Sequence, residues 1–300
     1  MFMVSVKNLT KKYGARIAID NLSFEIGAGE IVGFLGPNGA GKTTTMNIMT
    51  GFIAATSGDV KINDADILAE PERAKKNIGY LPDAPPVYGD MRVCEYLNFV
   101  ADIKGVGKNR REMLEKIMNS VNIADMSRRL IRNLSRGYRQ RVGLAQAMVG
   151  EPKVIIMDEP TIGLDPKQII EMRDVIKSLN TTVILSSHIM QEVSAVCDRV
   201  MIINQGKIIA DGKADSLSDN LRKSGFHVRI KGEPDAVKKA LADSGLSPTV
   251  EPGESGTTEL FFETDIREEI FRCAAQNNMP ILLMKPAELS LEEIFLTLTN

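Results

Sequence analysis

Residues 36–43 read Gly-Pro-Asn-Gly-Ala-Gly-Lys-Thr, the pattern G-x-x-x-x-G-K-[ST], and no other stretch narrows the fold of this chain as much. The residues before it, Glu30-Ile31-Val32-Gly33-Phe34-Leu35, are apolar and strand-like, and those after it, Thr43-Thr44-Thr45-Met46-Asn47-Ile48-Met49, suit a helix. A strand feeding a glycine loop and then a helix implies an α/β architecture. Glycines let successive backbone N–H groups curl round an anion, and the helix N-terminus adds favourable partial charge. The loop therefore predicts a nucleoside triphosphate site in which Lys42 reaches the β- and γ-phosphates and the Thr43 hydroxyl ligates Mg²⁺. A plain glycine turn between strand and helix needs neither the lysine nor the threonine.

Three hundred residues exceed the usual single domain, so two are expected. A hydrophobic share of 43% and a charged share of 25% are those of an ordinary globular protein with material for a core. The formal net charge of −2 gives no global attraction to nucleic acid or anionic lipid. Cys94, Cys197 and Cys273 lie far apart without metal-ligand spacing and read as small apolar residues in a reducing compartment. The opening Met-Phe-Met-Val-Ser-Val-Lys-Asn lacks a basic stretch followed by a long apolar one, so no secretory leader is expected. With no run of about 18 apolar residues, no membrane span is expected either.

Along the chain, residues 3–9 and 22–26 read as strands with a turn at Tyr13-Gly14, and a strand pair falls near Val60–Asn63. An amphipathic stretch at Pro71–Lys76 precedes the Pro82–Pro86 cluster, which breaks regular structure. From Val93 to Met126 the apolar spacing turns helical, and residues 138–149 form another helix. Lys153–Met157 is a continuous apolar run suited to a buried parallel strand. Helix 166–179, strand 181–186, helix 189–197 and a hairpin at 199–209 follow. Polar and small residues at Asp211–Ser224 mark a boundary. Beyond it the order is strand 226–231, helix 234–244, strands 246–250 and 258–263, helix 265–277, strand 280–284 and helix 290–298. The β-α-β-β-α-β order predicts a small ferredoxin-like α+β module.

A second chemical run is Val154-Ile155-Ile156-Met157-Asp158-Glu159-Pro160, an apolar strand ending in two acids. Beside a phosphate loop, Asp158 can hold Mg²⁺ and Glu159 can orient and deprotonate a water. Next, Leu134-Ser135-Arg136-Gly137-Tyr138-Arg139-Gln140-Arg141 opens a helix, where Ser135 reads first as an N-cap. Gly163-Leu164-Asp165-Pro166 is a turn, and Ser186-Ser187-His188 follows an apolar strand, from which His188 could reach a γ-phosphate.

In this order, these runs resemble the ATP-binding subunit of ABC transporters over roughly residues 3–213. The resemblance implies a phosphate-loop ATPase cassette over residues 1–215, with a helical subdomain at about 85–150, and an accessory α+β domain over 224–300. It implies that Tyr13 stacks on adenine and that Gly36, Pro37, Asn38, Gly39, Ala40, Gly41, Lys42, Thr43 and Thr44 hold the phosphates. Ser135 and Gly137 would close on ATP held by a second ATP-binding subunit, identical or different, and Asp165 would work across that interface. Thr43, Asp83 and Asp158 would serve Mg²⁺, and Glu159, His188 and Lys42 would carry catalysis. A separate transmembrane permease would be the partner, this subunit lying at the cytoplasmic face of the cell membrane, with no nucleic acid expected.

Two departures from the family's pattern involve three positions. Arg136 and Tyr138 stand where the signature Leu-Ser-Gly-Gly-Gln has its first Gly and its Gln, with Ser135 and Gly137 kept. Asp83 stands where Gln is common. A carboxylate cannot donate a hydrogen bond but can coordinate Mg²⁺. The acidic residue at 83, the 134–147 run and the ending Ser290-Leu291-Glu292-Glu293-Ile294-Phe295-Leu296 look like the ABC-2 exporter class, nearest its gliding-motility subunits. Two rivals are a soluble ABC ATPase acting on nucleic acid or ribosomes and a catalytically idle regulator. Single-cassette length and the absence of coiled-coil heptads oppose the first, and Glu159 with His188 opposes the second.

Overall fold

The computed structural model describes residues 2–213 and 226–286, apart from 255, 263 and 265. They form two compact units that divide between Ala214 and Asp215.

The first unit opens with β1 (Phe2–Tyr13) and β2 (Arg16–Gly27), paired antiparallel from Phe2–Gly27 to Tyr13–Arg16. This ribbon is longer than the two short strands its sequence suggests. Register shifts beyond Val6 let pairing resume, and Asn8 and Asn21 take the left-handed conformation that asparagine tolerates there. With β4 (Ser57–Ile62) and β5 (Ala65–Asp66) it makes a sheet in the order β2-β1-β4-β5.

A second sheet runs β10-β9-β3-β8-β7-β6. Its strands are β3 (Ile31–Leu35), β6 (Ile78–Leu81), β7 (Val154–Met157), β8 (Thr182–Ser187), β9 (Arg199–Asn204) and β10 (Lys207–Gly212). All pairings are parallel except the β9–β10 hairpin. Parallel strands are covered on both faces, which is why β3, β7 and β8 are buried at every position. One core joins the two sheets, and Phe24 meets Phe34 edge-on at 5.3 Å.

The helices α1 (Lys42–Met49), α2 (Pro71–Lys76), α6 (Pro166–Lys177) and α7 (Met190–Val196) connect these strands. Between β6 and β7 lie α3 (Val93–Ile103), α4 (Arg110–Ser120) and α5 (Arg136–Met148). The helical stretch expected over 93–126 is broken at residues 104–109, where Gly105 and Asn109 adopt positive φ. From that break the Lys104 ammonium reaches α5 and donates to Val149 O at 2.7 Å. Helix α5 begins two residues earlier than its apolar spacing suggests, because Ser135 caps it by accepting the Tyr138 N–H.

The second unit runs β11 (Phe226–Lys231), α8 (Pro234–Asp243), β12 (Thr249–Pro252), β13 (Thr257–Phe262), α9 (Arg267–Gln276) and β14 (Ile281–Pro286). Its strands pair antiparallel throughout in the order β12-β13-β11-β14, a ferredoxin-like topology. Val228, Ile230, Leu241, Leu260, Phe262 and Ile270 build a separate core. The helix expected at 290–298 lies outside the described residues.

Candidate nucleotide-binding and hydrolysis site

The phosphate loop is the link between the end of β3 at Leu35 and the start of α1 at Lys42. Gly41 has φ +109°, and a Cβ there would stand 2.8 Å from Ala18 O. At Gly36 a Cβ would stand 2.3 Å from Ile203 O. Neither position has room for a side chain, so at these two residues the loop can pack only as bare backbone. Lys42 Nζ donates to Gly36 O at 2.7 Å and Pro37 O at 3.2 Å, which holds the ammonium over the loop. It also stands 3.8 Å from Glu159 Oε1. Burial lowers its pKa, and Glu159 and Asp158 oppose that shift.

The acids arrive on the neighbouring strand. Asp158, just past β7, is 3% exposed and accepts the Ser186 hydroxyl of β8. Ser186 Oγ in turn accepts the Glu159 N–H at 2.9 Å. Glu159 has φ +47°, a left-handed conformation that costs a glutamate about 1–3 kcal/mol. Its Oε2 lies 2.9 Å from His188 Nδ1, which follows β8. Adjacent parallel strands thus deliver the two halves of a carboxylate–imidazole pair. At the end of β6, Asp83 Oδ1 accepts the Ala84 N–H at 2.7 Å. Tyr80 donates to Asn47 Oδ1 at 3.2 Å and ties β6 to α1. Burial, then Asp158 and Asp83, push the Tyr80 phenol up to about 12, so it stays a neutral donor.

These groups line a cavity of about 630 Å³. Tyr13, Asn38, Gly39, Gly41, Lys42, Thr43, Thr44, Asp83, Asp158, Glu159 and His188 all face it, as the sequence suggests. Arg16, Ala18 and Ile162 also line it and carry no sequence signal of their own. Arg16 is delivered by its pairing opposite Tyr13 in the β1–β2 ribbon. Gly36, Pro37 and Ala40 form the back of the loop, outside the lining.

Ser135, Gly137 and Asp165 are not brought to this cavity. Ser135 and Asp165 are exposed N-caps of α5 and α6, Asp165 accepting the Gln168 N–H at 2.9 Å. The two helix starts are packed together. A Cβ on Gly137 would meet Gln168 Oε1 at 2.6 Å, and one on Gly163 would meet the Arg136 guanidinium at 2.3 Å. Ser135 and Asp165 therefore sit on neighbouring helix starts of one surface, each facing solvent.

The oxygen donors Thr43, Asp83 and Asp158 suit a hard cation such as Mg²⁺. No cluster of three or more His, Cys, Asp or Glu forms a metal cage among the described residues. A Mg²⁺ ion held by one or two carboxylates plus substrate phosphates needs none.

A cradle of unsubstitutable glycines, a buried lysine and a strand-end acid pair define a phosphate-loop ATPase. The family model described as ABC transporter matches residues 19–162. The uncharacterized ABC transporter ATP-binding protein YhcH of Bacillus subtilis (strain 168) is 42% identical over 212 residues, 69% of this chain and 68% of that one. The bacitracin transport ATP-binding protein BcrA of Bacillus licheniformis is 30% identical over 300 residues, covering 99% of this chain and 97% of that one. Among solved structures, the dimeric post-hydrolysis state of the cassette MJ0796, bound to ADP and Pi, superposes with a TM-score of 0.64 at 25% identity. That match covers 71% of this chain and 99% of that one. The chain belongs to the ABC transporter ATP-binding proteins, and its reaction is ATP hydrolysis that drives transport.

Proposed function

We propose that this subunit hydrolyses Mg²⁺-ATP at the cytoplasmic face of a membrane and powers export through a separate membrane-spanning permease. Tyr13 stacks on the adenine, and residues 36–44 bind the triphosphate through backbone N–H groups and Lys42. Thr43, Asp158 and Asp83 would hold Mg²⁺, which would neutralise charge on the bound phosphates. Glu159 orients the attacking water and takes its proton, and His188 steadies that carboxylate while facing the γ-phosphate. Ser135, Gly137 and Asp165 act across a dimer of ATP-binding subunits, on nucleotide bound by the second copy. That accounts for exposed polar caps on α5 and α6 that stand away from their own cavity. Residues 1–215 form the cassette, and residues 224–300 an accessory domain.

One observation carries this reading. Lys42, Glu159 and His188 form a continuous chain of contacts, 3.8 Å and 2.9 Å, at the wall of the cavity. The full-length likeness to BcrA supports export over a nucleic-acid role. The 134–147 run, the acid at 83 and the sequence at 290–296 favour the ABC-2 exporter class and, within it, the gliding-motility type. Steady-state turnover in Glu159→Gln tests the chemistry. ATP binding should persist while kcat falls by about 10²–10⁴, and an unchanged kcat would remove Glu159 from the mechanism. Recovery of an integral membrane protein with the tagged chain tests the partner.

A further inference from the structure

Beside the hydrolytic pair lies a second buried carboxylate that the chemistry above leaves unused. Glu192, on α7, is 7% exposed, and no cation pairs with it among the described residues. Its Oε2 takes two hydroxyls instead, that of Thr161 and, at 3.3 Å, that of Ser187. Those partners are themselves 6% and 1% exposed. Ser187 Oγ also accepts the Ile189 N–H at 3.0 Å. Burying a carboxylate without a cation is costly, and well-packed apolar side chains of similar volume are often as stable or more so. Stability alone does not account for it.

The two hydroxyls come from the two segments that bear the reacting groups. Thr161 lies two residues after Glu159, and Ser187 immediately precedes His188. Glu159 is held on its N-terminal side by Ser186, through its own N–H and through Asp158. On its C-terminal side the chain leaves the left-handed Glu159 and runs through Pro160 to Thr161 and so to Glu192. We infer that Glu192 is a positioning residue, a clasp between Thr161 and Ser187 that fixes where the Glu159 carboxylate stands relative to His188. It does not touch substrate. Displacing a reacting group by about 1 Å can cost some 10²-fold in rate, so the clasp acts on turnover rather than on nucleotide affinity.

This inference rests on the roles given to Glu159 and His188 under Proposed function. The test is steady-state ATPase kinetics on the full chain. Glu192→Ala and Thr161→Val should each lower kcat by about tenfold or more, with KM moving less than about twofold. The double variant should be little worse than the poorer single one, because both already lose the Thr161–Glu192 bond. Glu192→Gln and Thr161→Ser should restore most of the rate, since an amide oxygen can accept both hydroxyls. A folded Glu192→Ala with undiminished kcat overturns the inference, as does a Glu192→Gln as deficient as Glu192→Ala, or a loss confined to KM. Where Glu192→Ala fails to fold, Thr161→Val probes the same bond from its other end. Glu159→Gln measured alongside separates the two failures. Normal turnover in that variant removes the roles themselves, whereas its loss beside an intact Glu192→Ala removes the clasp alone.

Discussion

Tyr13 is half exposed, lines the cavity, and has the Lys11 ammonium 5.0 Å from its ring centroid. An aromatic ring at a binding site contributes about 1–3 kcal/mol through base stacking, so Tyr13→Ala should weaken ATP binding at least about fivefold. Tyr13→Trp should retain affinity, and calorimetric titration with a non-hydrolysable ATP analogue would measure both. An unchanged Kd in Tyr13→Ala would place the adenine elsewhere. Much of the cavity lining is readable at this scale, because the loop glycines and Lys42, like Asp158 and Glu159, are neighbours in the chain. Arg16, Ala18 and Ile162 escape such reading, since only the folding of β1 onto β2 and the turn after Glu159 bring them to the cavity. Glu192 is hidden for the same reason. In sequence it is one acid in a short amphipathic stretch, and its partner Thr161 is supplied by the turn between β7 and α6.

Helix α5 shows how an element is fixed at both ends. Ser135 caps its start, and Lys104 donates to the carbonyls of Gln146, Ala147 and Val149 at its finish. A cation there complements the helix dipole. Although the residue as a whole is exposed, desolvation of its ammonium brings the Lys104 pKa down to about 8. A lysine whose folded pKa lies below its unfolded value of about 10.4 carries its full desolvation cost below pH 8. Between about pH 8 and 10.4 the unfolded chain holds the extra proton, so this residue's contribution turns more favourable as pH rises. Lys104→Met should flatten that part of the stability profile, as followed by denaturant midpoints from pH 7 to 10. A profile identical to that of the unaltered chain would show that the ammonium stays solvated. The break that frees Lys104 is hard to read beforehand, because the apolar spacing of α3 continues into α4 and the interruption at Gly105 and Asn109 is a matter of backbone conformation.

Among the described residues, one apolar core joins the two sheets of the first unit and a separate one lies inside the ferredoxin-like unit. Two calorimetric transitions are therefore expected, and Mg²⁺-ATP should raise only the one belonging to the first unit, since ligand stabilises the state that binds it. A single transition shifted as a whole would mean that the units unfold together. The order of strands and helices in both units follows closely from apolar periodicity. The order of strands within each sheet does not, because it depends on contacts between distant segments. That distance has a price during synthesis. Strand β3 pairs with β8 and β9, about 150 residues further along the chain. At about 5–20 residues per second, the ribosome leaves Ile31–Leu35 without its neighbours for roughly eight to thirty seconds. The strand that carries the nucleotide cradle is thus made well before the strands that shelter it, and over that interval its apolar ribbon is open to the wrong mate.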